Sequence, residues 1–270
     1  MTPSTAGEAW KQYLGGETLS WCDPKAVQPY VFTRHSQSEW IQMILGNTGI
    51  TPSSQVRVLE AGCGTGMFGL SLAILGCAVE AFDYNKDALR FAHTLESKVR
   101  ATTPDIQIQF TQGNLLEIHR ETNQYDLVFN QAVLEYFTDD AERRRAFSEM
   151  TRVTRSGGWV VVIVQHTGHP FRNWWRRFGW AGYINQPATI EYTPRRLESD
   201  LCAAGLTDIR LDGIGSWKAL PIFWIPWYKR WRWVETGIYL LGQMLKRGIP
   251  LPRRVRCWMG VQILAAGRKP

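Results

Sequence analysis

Short apolar runs bounded by turn-forming residues alternate along this chain with longer segments whose apolar residues recur every three or four positions. The first pattern predicts strands and the second amphipathic helices. Strands are expected near 56–60, 78–82, 106–110, 125–130, 158–165, 207–212 and 258–265, with helices near 66–75, 86–98, 140–153 and 195–204. Trp159-Val160-Val161-Val162-Ile163-Val164 is continuous rather than alternating, as in a central parallel strand covered on both faces. Leu70, Ala73 and Ile74 fall at core spacing in the first helix, and Thr193-Pro194 opens the fourth as a cap followed by an N1 proline. This order predicts an α/β chain closed by a weakly alternating stretch from Cys257 to Ala266.

The candidate chemistry sits where the first strand ends. Val58-Leu59-Glu60-Ala61-Gly62-Cys63-Gly64-Thr65-Gly66 runs from apolar residues through an acid into three alternate glycines, and a helical pattern follows. Such glycines let a turn adopt φ angles other residues avoid and let backbone N–H groups approach a ligand. The next strand, Ala78-Val79-Glu80-Ala81-Phe82, ends in Asp83, about 20 residues on, where nucleotide-binding α/β units keep a ribose-binding acid. Dinucleotide enzymes show G-x-G-x-x-G, whereas the spacing here is G-x-G-x-G with Glu60 before it. A carboxylate there would repel a pyrophosphate and suits a sulfonium and an ammonium.

Glu60-Ala61-Gly62-Cys63-Gly64-Thr65-Gly66 resembles motif I of the class I S-adenosylmethionine-dependent methyltransferases. Gln112-Gly113-Asn114-Leu115-Leu116, Tyr125-Asp126-Leu127-Val128-Phe129-Asn130, Gln131-Ala132-Val133-Leu134-Glu135-Tyr136-Phe137 and Gly157-Gly158 follow in that family's order. The chain departs from the family in carrying Asn114 where Asp is usual and Tyr136 where His is common. The resemblance implies a doubly wound seven-strand Rossmann-like sheet with its last strand antiparallel. It implies that Glu60 and Gly62, with Gly64 and Gly66, hold the methionine end of S-adenosylmethionine. Asp83 would bind the ribose hydroxyls, Tyr84 the adenine face and Asn114 with Leu115 the adenine edge, and Asn130 completes the cofactor set.

Length places this in one methyltransferase domain, 51–270, behind a helical or cap segment, 1–50. Insertions at about 166–193 and 213–256 leave the carboxyl ends of strands five and six, so they are expected to form a lid beside the cofactor. The start lacks the basic and apolar regions of a signal peptide, and five scattered cysteines fit a reducing cytoplasm. No His/Asp/Glu grouping has ligand spacing, so a metal is not expected.

Charge changes the picture of the lid. Residues 1–169 hold 14 Lys+Arg against 18 Asp+Glu, and residues 170–270 hold 17 against 6, with nine of the 13 tryptophans. Three readings remain: cation–π stacking inside a lid, a surface for an anionic membrane or a lipid-like acceptor, or single-stranded nucleic acid. Enzymes that methylate base amines usually carry Asn/Asp-Pro-Pro-aromatic after the fourth strand. Asn130-Gln131-Ala132-Val133 has no proline, which disfavours that substrate. The uncharged stretches 219–228 and 236–245 are too short to span a membrane.

Methyl transfer needs a base only to strip a hydroxyl or amine proton. His166 and His169, after the fifth strand, are the first candidates, followed by Glu135 and Tyr136. The expected activity is O- or C-methylation of a small hydrophobic or lipid-like acceptor by a cytoplasmic enzyme in peripheral contact with the membrane. The alternatives are an NAD(P)-dependent oxidoreductase, a nucleic-acid methyltransferase and a non-catalytic cofactor-binding scaffold.

Overall fold

A computed structural model describes residues 38–168, 190–215 and 251–270. Seven strands form one sheet: β1 (Arg57–Ala61), β2 (Ala78–Asp83), β3 (Ile108–Gln112), β4 (Tyr125–Gln131), β5 (Thr154–Gln165), β6 (Thr207–Ile214) and β7 (Gln262–Arg268). Their order is β3-β2-β1-β4-β5-β7-β6, parallel from β3 to β5, with β7 antiparallel to both β5 and β6. This is the expected doubly wound, Rossmann-like arrangement. The order in which strands are added reverses between β1 and β4, and in open α/β sheets the ligand crevice opens at that switch point.

The helices are α1 (Glu39–Thr48), α2 (Met67–Ile74), α3 (Lys86–Arg100), α4 (Asp140–Val153), α5 (Pro194–Ala203) and α6 (Arg253–Met259), with a 3-10 turn at Leu134–Tyr136. Alternate strand residues feed two cores. Leu127, Phe129, Val161 and Ile163 pack with Ile41, Leu70 and Leu95 of α1, α2 and α3. Val128, Val160, Val162 and Val164 pack with Phe147, Met150, Leu197 and Leu201 of α4 and α5. Burial on both faces is why these strands read as continuous apolar runs. Side chains cap the helices as well: Asp139 accepts from Ala141 and Glu142 N–H, Asn85 from Asp87 N–H, and Thr193 from Arg196 N–H.

Several boundaries differ from the sequence expectation. β3 begins two residues later, at Ile108, and β5 begins four residues earlier, at Thr154, ahead of the Gly157-Gly158 pair expected to open it. β6 runs on to Ile214, paired with Gln262. The last strand, expected at 258–265, is Gln262–Arg268, and the residues before it form α6. Arg253-Arg254-Val255-Arg256-Cys257-Trp258-Met259 has no apolar stripe and none of it is fully buried. Polar clasps fix it instead. Arg256 grips Asp212 through two bonds, Nε–Oδ1 2.8 Å and Nη2–Oδ2 2.6 Å, and Arg253 Nε donates to the Leu211 carbonyl at 2.6 Å. α6 thereby covers the outer edge of β6, an edge that would otherwise invite pairing with another chain. Residues 253–256, expected as the tail of the second insertion, are its first turn.

β5 ends at Gln165 and β6 at Ile214, both beside Gln262 where β7 begins. The described chain therefore leaves both strands at the carboxyl edge. The Trp- and Arg-rich stretches expected to form a lid, most of 166–193 and of 213–256, lie outside the described residues, as do residues 1–37 of the N-terminal segment. Among the described residues no helix is long and apolar enough to cross a membrane.

Candidate active site

The glycine turn between β1 and α2 carries three left-handed residues, Gly62, Gly64 and Gly66, with φ of +83°, +52° and +72°. Two of them are also required by packing. A Cβ on Gly62 would lie 2.7 Å from Val133 Cγ2, and one on Gly66 would lie 2.6 Å from Phe110 Cζ. Gly64 faces open space, with nothing within 4 Å. The turn is tied to β2 through its backbone, since Gly62 N–H and Cys63 N–H both donate to the Phe82 carbonyl, at 2.8 and 2.9 Å.

Two buried carboxyls flank it. Asp83 accepts from Gly64 N–H at 2.7 Å on one oxygen and from Asn85 N–H at 2.8 Å on the other. Burial raises its pKa, opposed by those amides. Glu60 is 1% exposed and accepts from Gly69 N–H at 2.8 Å. Desolvation pushes its carboxyl up to about 8, the Gly69 amide pulls it down, and the nearby Asp83 adds to the rise. Burial also raises the Cys63 thiol well above its usual range, so it is a small filler rather than a nucleophile.

The other residues assigned to the cofactor fall into two groups. Tyr84 follows Asp83 directly and is half-buried. Gly113 N–H donates to the Asp83 carbonyl, which brings Asn114 and Leu115 beside it at the same edge. Asn114 Oδ1 accepts from Leu116 N–H at 2.9 Å, so this oxygen also shapes its own turn. Asn130 lies apart. Its side chain is fully buried with Nδ2 on Met150 Sδ of α4, on the face of the sheet away from Gly69 and α2.

Beyond β4 the backbone does something the sequence does not announce. Ala132 sits at φ +55°, a conformation non-glycine residues seldom adopt, with its N–H on the Ile163 carbonyl. This twist turns Val133 against Gly62 and starts the 3-10 turn holding Glu135 and Tyr136, both buried. Glu135 is 1% exposed and among the described residues its carboxyl has no side-chain partner; burial lifts its pKa to about 8 against the pull of the Glu135 and Gln165 backbone N–H groups. Its carbonyl accepts from Ile190 N–H at 2.8 Å, so the returning chain crosses directly over it.

The histidines separate as well. His166 is buried, with Nδ1 2.9 Å from the Gly260 carbonyl and its backbone N–H on the Val261 carbonyl. A ring nitrogen facing a carbonyl is the donor, which leaves Nε2 with the lone pair. The ring anchors the start of β7, across β5 from the glycine turn. His169 lies outside the described residues. Among those residues there is no group of three or more His, Cys, Asp or Glu able to hold a metal.

Comparison with known proteins bears on this arrangement. A family profile described as a methyltransferase domain matches residues 59–162, from Leu59 of β1 into β5. A Mycobacterium tuberculosis protein named a probable S-adenosylmethionine-dependent methyltransferase is 30% identical over 214 residues, covering 78% of this chain and 67% of that protein. A ubiquinone biosynthesis O-methyltransferase of Bordetella pertussis is 29% identical over 143 residues, 52% of this chain and 54% of its own length. Phosphoethanolamine N-methyltransferase 2 of Haemonchus contortus, solved with S-adenosyl-L-methionine, shares the fold at TM-score 0.63 and 16% identity. That alignment covers 97% of this chain and 60% of that one. The fold alone would not decide an activity, since the cyclase SpnF shares it too at TM-score 0.53. The mycobacterial match spans most of both chains, and the glycine turn with its two acids has the chemistry that an S-adenosylmethionine site requires. The chain belongs to the class I S-adenosylmethionine-dependent methyltransferases.

Proposed function

We propose that this enzyme methylates a hydroxyl, or an enolised carbon, on a small hydrophobic or lipid-like acceptor. The observation that carries this reading is Glu135: a buried carboxyl with no side-chain partner among the described residues, two residues from the Val133 that packs on the cofactor turn. Desolvated acceptor oxygens of this kind await a donor, and an acceptor hydroxyl is one. The cofactor supplies an electrophilic methyl group on a sulfonium. Glu60 and the glycine turn hold its methionine end, Asp83 its ribose, and Tyr84, Asn114 and Leu115 its adenine. Val133, Ile190 and Tyr136 give the acceptor an apolar wall, and Glu135 takes the hydroxyl proton as the oxygen attacks. His166, held to Gly260, is better suited to positioning the β5–β7 junction, and His169 remains a second candidate base.

The ubiquinone biosynthesis O-methyltransferases among the relatives favour oxygen as the accepting atom. The basic, aromatic C-terminal hundred residues favour an acceptor delivered from an anionic membrane by a cytoplasmic enzyme. The test is turnover with methyl-labelled S-adenosylmethionine against phenols, polyprenylated quinols, amines and phosphoethanolamine, with the product linkage read by NMR. Methoxy or C-methyl products support the reading. Turnover confined to amines or phosphoethanolamine overturns it.

A further inference from the structure

Glu60 at the end of β1 and Asp83 at the end of β2 flank one turn under very unequal conditions. Asp83 has an amide on each oxygen, Gly64 N–H at 2.7 Å and Asn85 N–H at 2.8 Å. Among the described residues Glu60 has only the Gly69 amide, on Oε2. It is 1% exposed, and a Cβ on Gly69 would come within 2.7 Å of Oε2, so α2 is closed tightly over it.

Among the described residues the surroundings supply no positive charge. α2 offers the Gly69 amide and no ionisable side chain, the turn offers the Cys63 thiol, and β2 offers the Asp83 carboxylate. On β1 itself Arg57 lies at the opposite end, pairing with Glu80. The facing residue of β4 is Phe129. Among the described residues no Lys, Arg or His makes an ion pair with Glu60 or Asp83. The Asp83 charge raises the cost of ionising Glu60, and two such carboxyls, with no cation paired to either among the described residues, cannot both be ionised cheaply. The better-bonded one keeps its charge and the other keeps a proton.

We propose that Glu60 holds a proton in the empty enzyme and loses it when the cationic methionine end of the cofactor enters, so that cofactor binding is coupled to proton release. This rests on the turn being the cofactor's cradle. The bound ammonium and sulfonium supply the missing positive charge, Glu60 ionises, and its proton passes to the solvent. Burial already holds the carboxyl near 8 in the empty protein, so the window lies below that value. Affinity then climbs as pH rises from about 6 toward 8, by up to roughly tenfold per unit, and levels off above.

The experiment is titration calorimetry of the full chain with S-adenosylhomocysteine and with S-adenosylmethionine, at pH 7 in phosphate, HEPES and Tris. Their different ionisation enthalpies report the number of protons released. The wild-type protein is expected to release on the order of one proton per ligand bound, with affinity rising from pH 6 to 8. Glu60→Gln, checked for folding by circular dichroism, should bind with neither proton release nor pH dependence. Wild-type binding at the same heat in all three buffers, with flat affinity from pH 6 to 8, overturns the proposal whatever the variant does. Proton release that persists undiminished in a folded, binding Glu60→Gln overturns it too. Failure of the wild type to bind either ligand is a different outcome, and it removes the cradle reading itself.

Discussion

Asp83 does more in the structure than a ribose ligand needs. Its two oxygens already hold Gly64 and Asn85 N–H, so it braces the glycine turn in addition to the ribose contact proposed for it. Charge-assisted hydrogen bonds contribute about 1.5–3 kcal/mol each. Asp83→Ala is therefore expected to weaken S-adenosylhomocysteine roughly ten- to a hundredfold by calorimetry and to lower the melting temperature of the empty protein. Unchanged affinity would contradict the assignment. Glu135 makes a second prediction at this scale. Burial raises its pKa from an ordinary 4.5 to about 8, so folding favours the protonated form. That stabilising contribution is complete below about pH 4.5 and is lost as pH rises through about 8. Urea denaturation of the empty protein should show stability falling from pH 6 to 9, and Glu135→Gln should lessen that slope by roughly half, since Glu60 titrates in the same window. A slope unchanged in the variant would place the titration elsewhere. At this scale the sequence was legible where type and spacing together specify chemistry, as with Glu60, the three glycines and Asp83. The left-handed Ala132 and its consequence, Val133 against Gly62, were not. Nothing in the residue type alanine signals φ +55°.

Among the elements, the parallel strands and α2 to α5 were legible because each buries a periodic face or a continuous apolar run. α6 was not, since arginines gripping Asp212 hold it in place rather than an apolar stripe. Its contact with β6 depends on Gly213 and on Gly260, where a Cβ would lie 2.8 Å from the Gly213 Cα. A Cβ on Gly213 would lie 1.7 Å from the Arg256 carbonyl oxygen, which no side-chain movement relieves. Gly213→Ala must displace α6 or bend β6, and overpacking of this kind typically costs about 1–3 kcal/mol. The expected result is a lower denaturation midpoint with cofactor affinity within about twofold of wild type, because α6 lies at the opposite end of the sheet order from β2 and the Asp83 site. A full-stability Gly213→Ala would show that α6 does not pack as described.

Over the whole molecule, charge and aromatic content divide the chain as sharply as the fold does. The first 169 residues are net acidic, and the last hundred carry 17 basic residues against 6 acidic. The sheet and cofactor site account for the first part. The second, with Trp227 and Trp231 among its tryptophans, fits an interfacial role. Association with anionic phosphatidylglycerol vesicles is expected in a sedimentation assay at low ionic strength. It should weaken with added salt and when both tryptophans become serine, since each basic residue near such a surface contributes about 1 kcal/mol. No sedimentation with these vesicles would leave a soluble aromatic acceptor as the better reading. These readings all depend on the turn at Gly62–Gly66 holding S-adenosylmethionine. The most direct test is calorimetric titration of the wild-type protein with S-adenosylhomocysteine beside NADH. The account predicts saturable one-to-one binding of S-adenosylhomocysteine and no heat of binding with NADH. Binding of NADH with none of S-adenosylhomocysteine would contradict it.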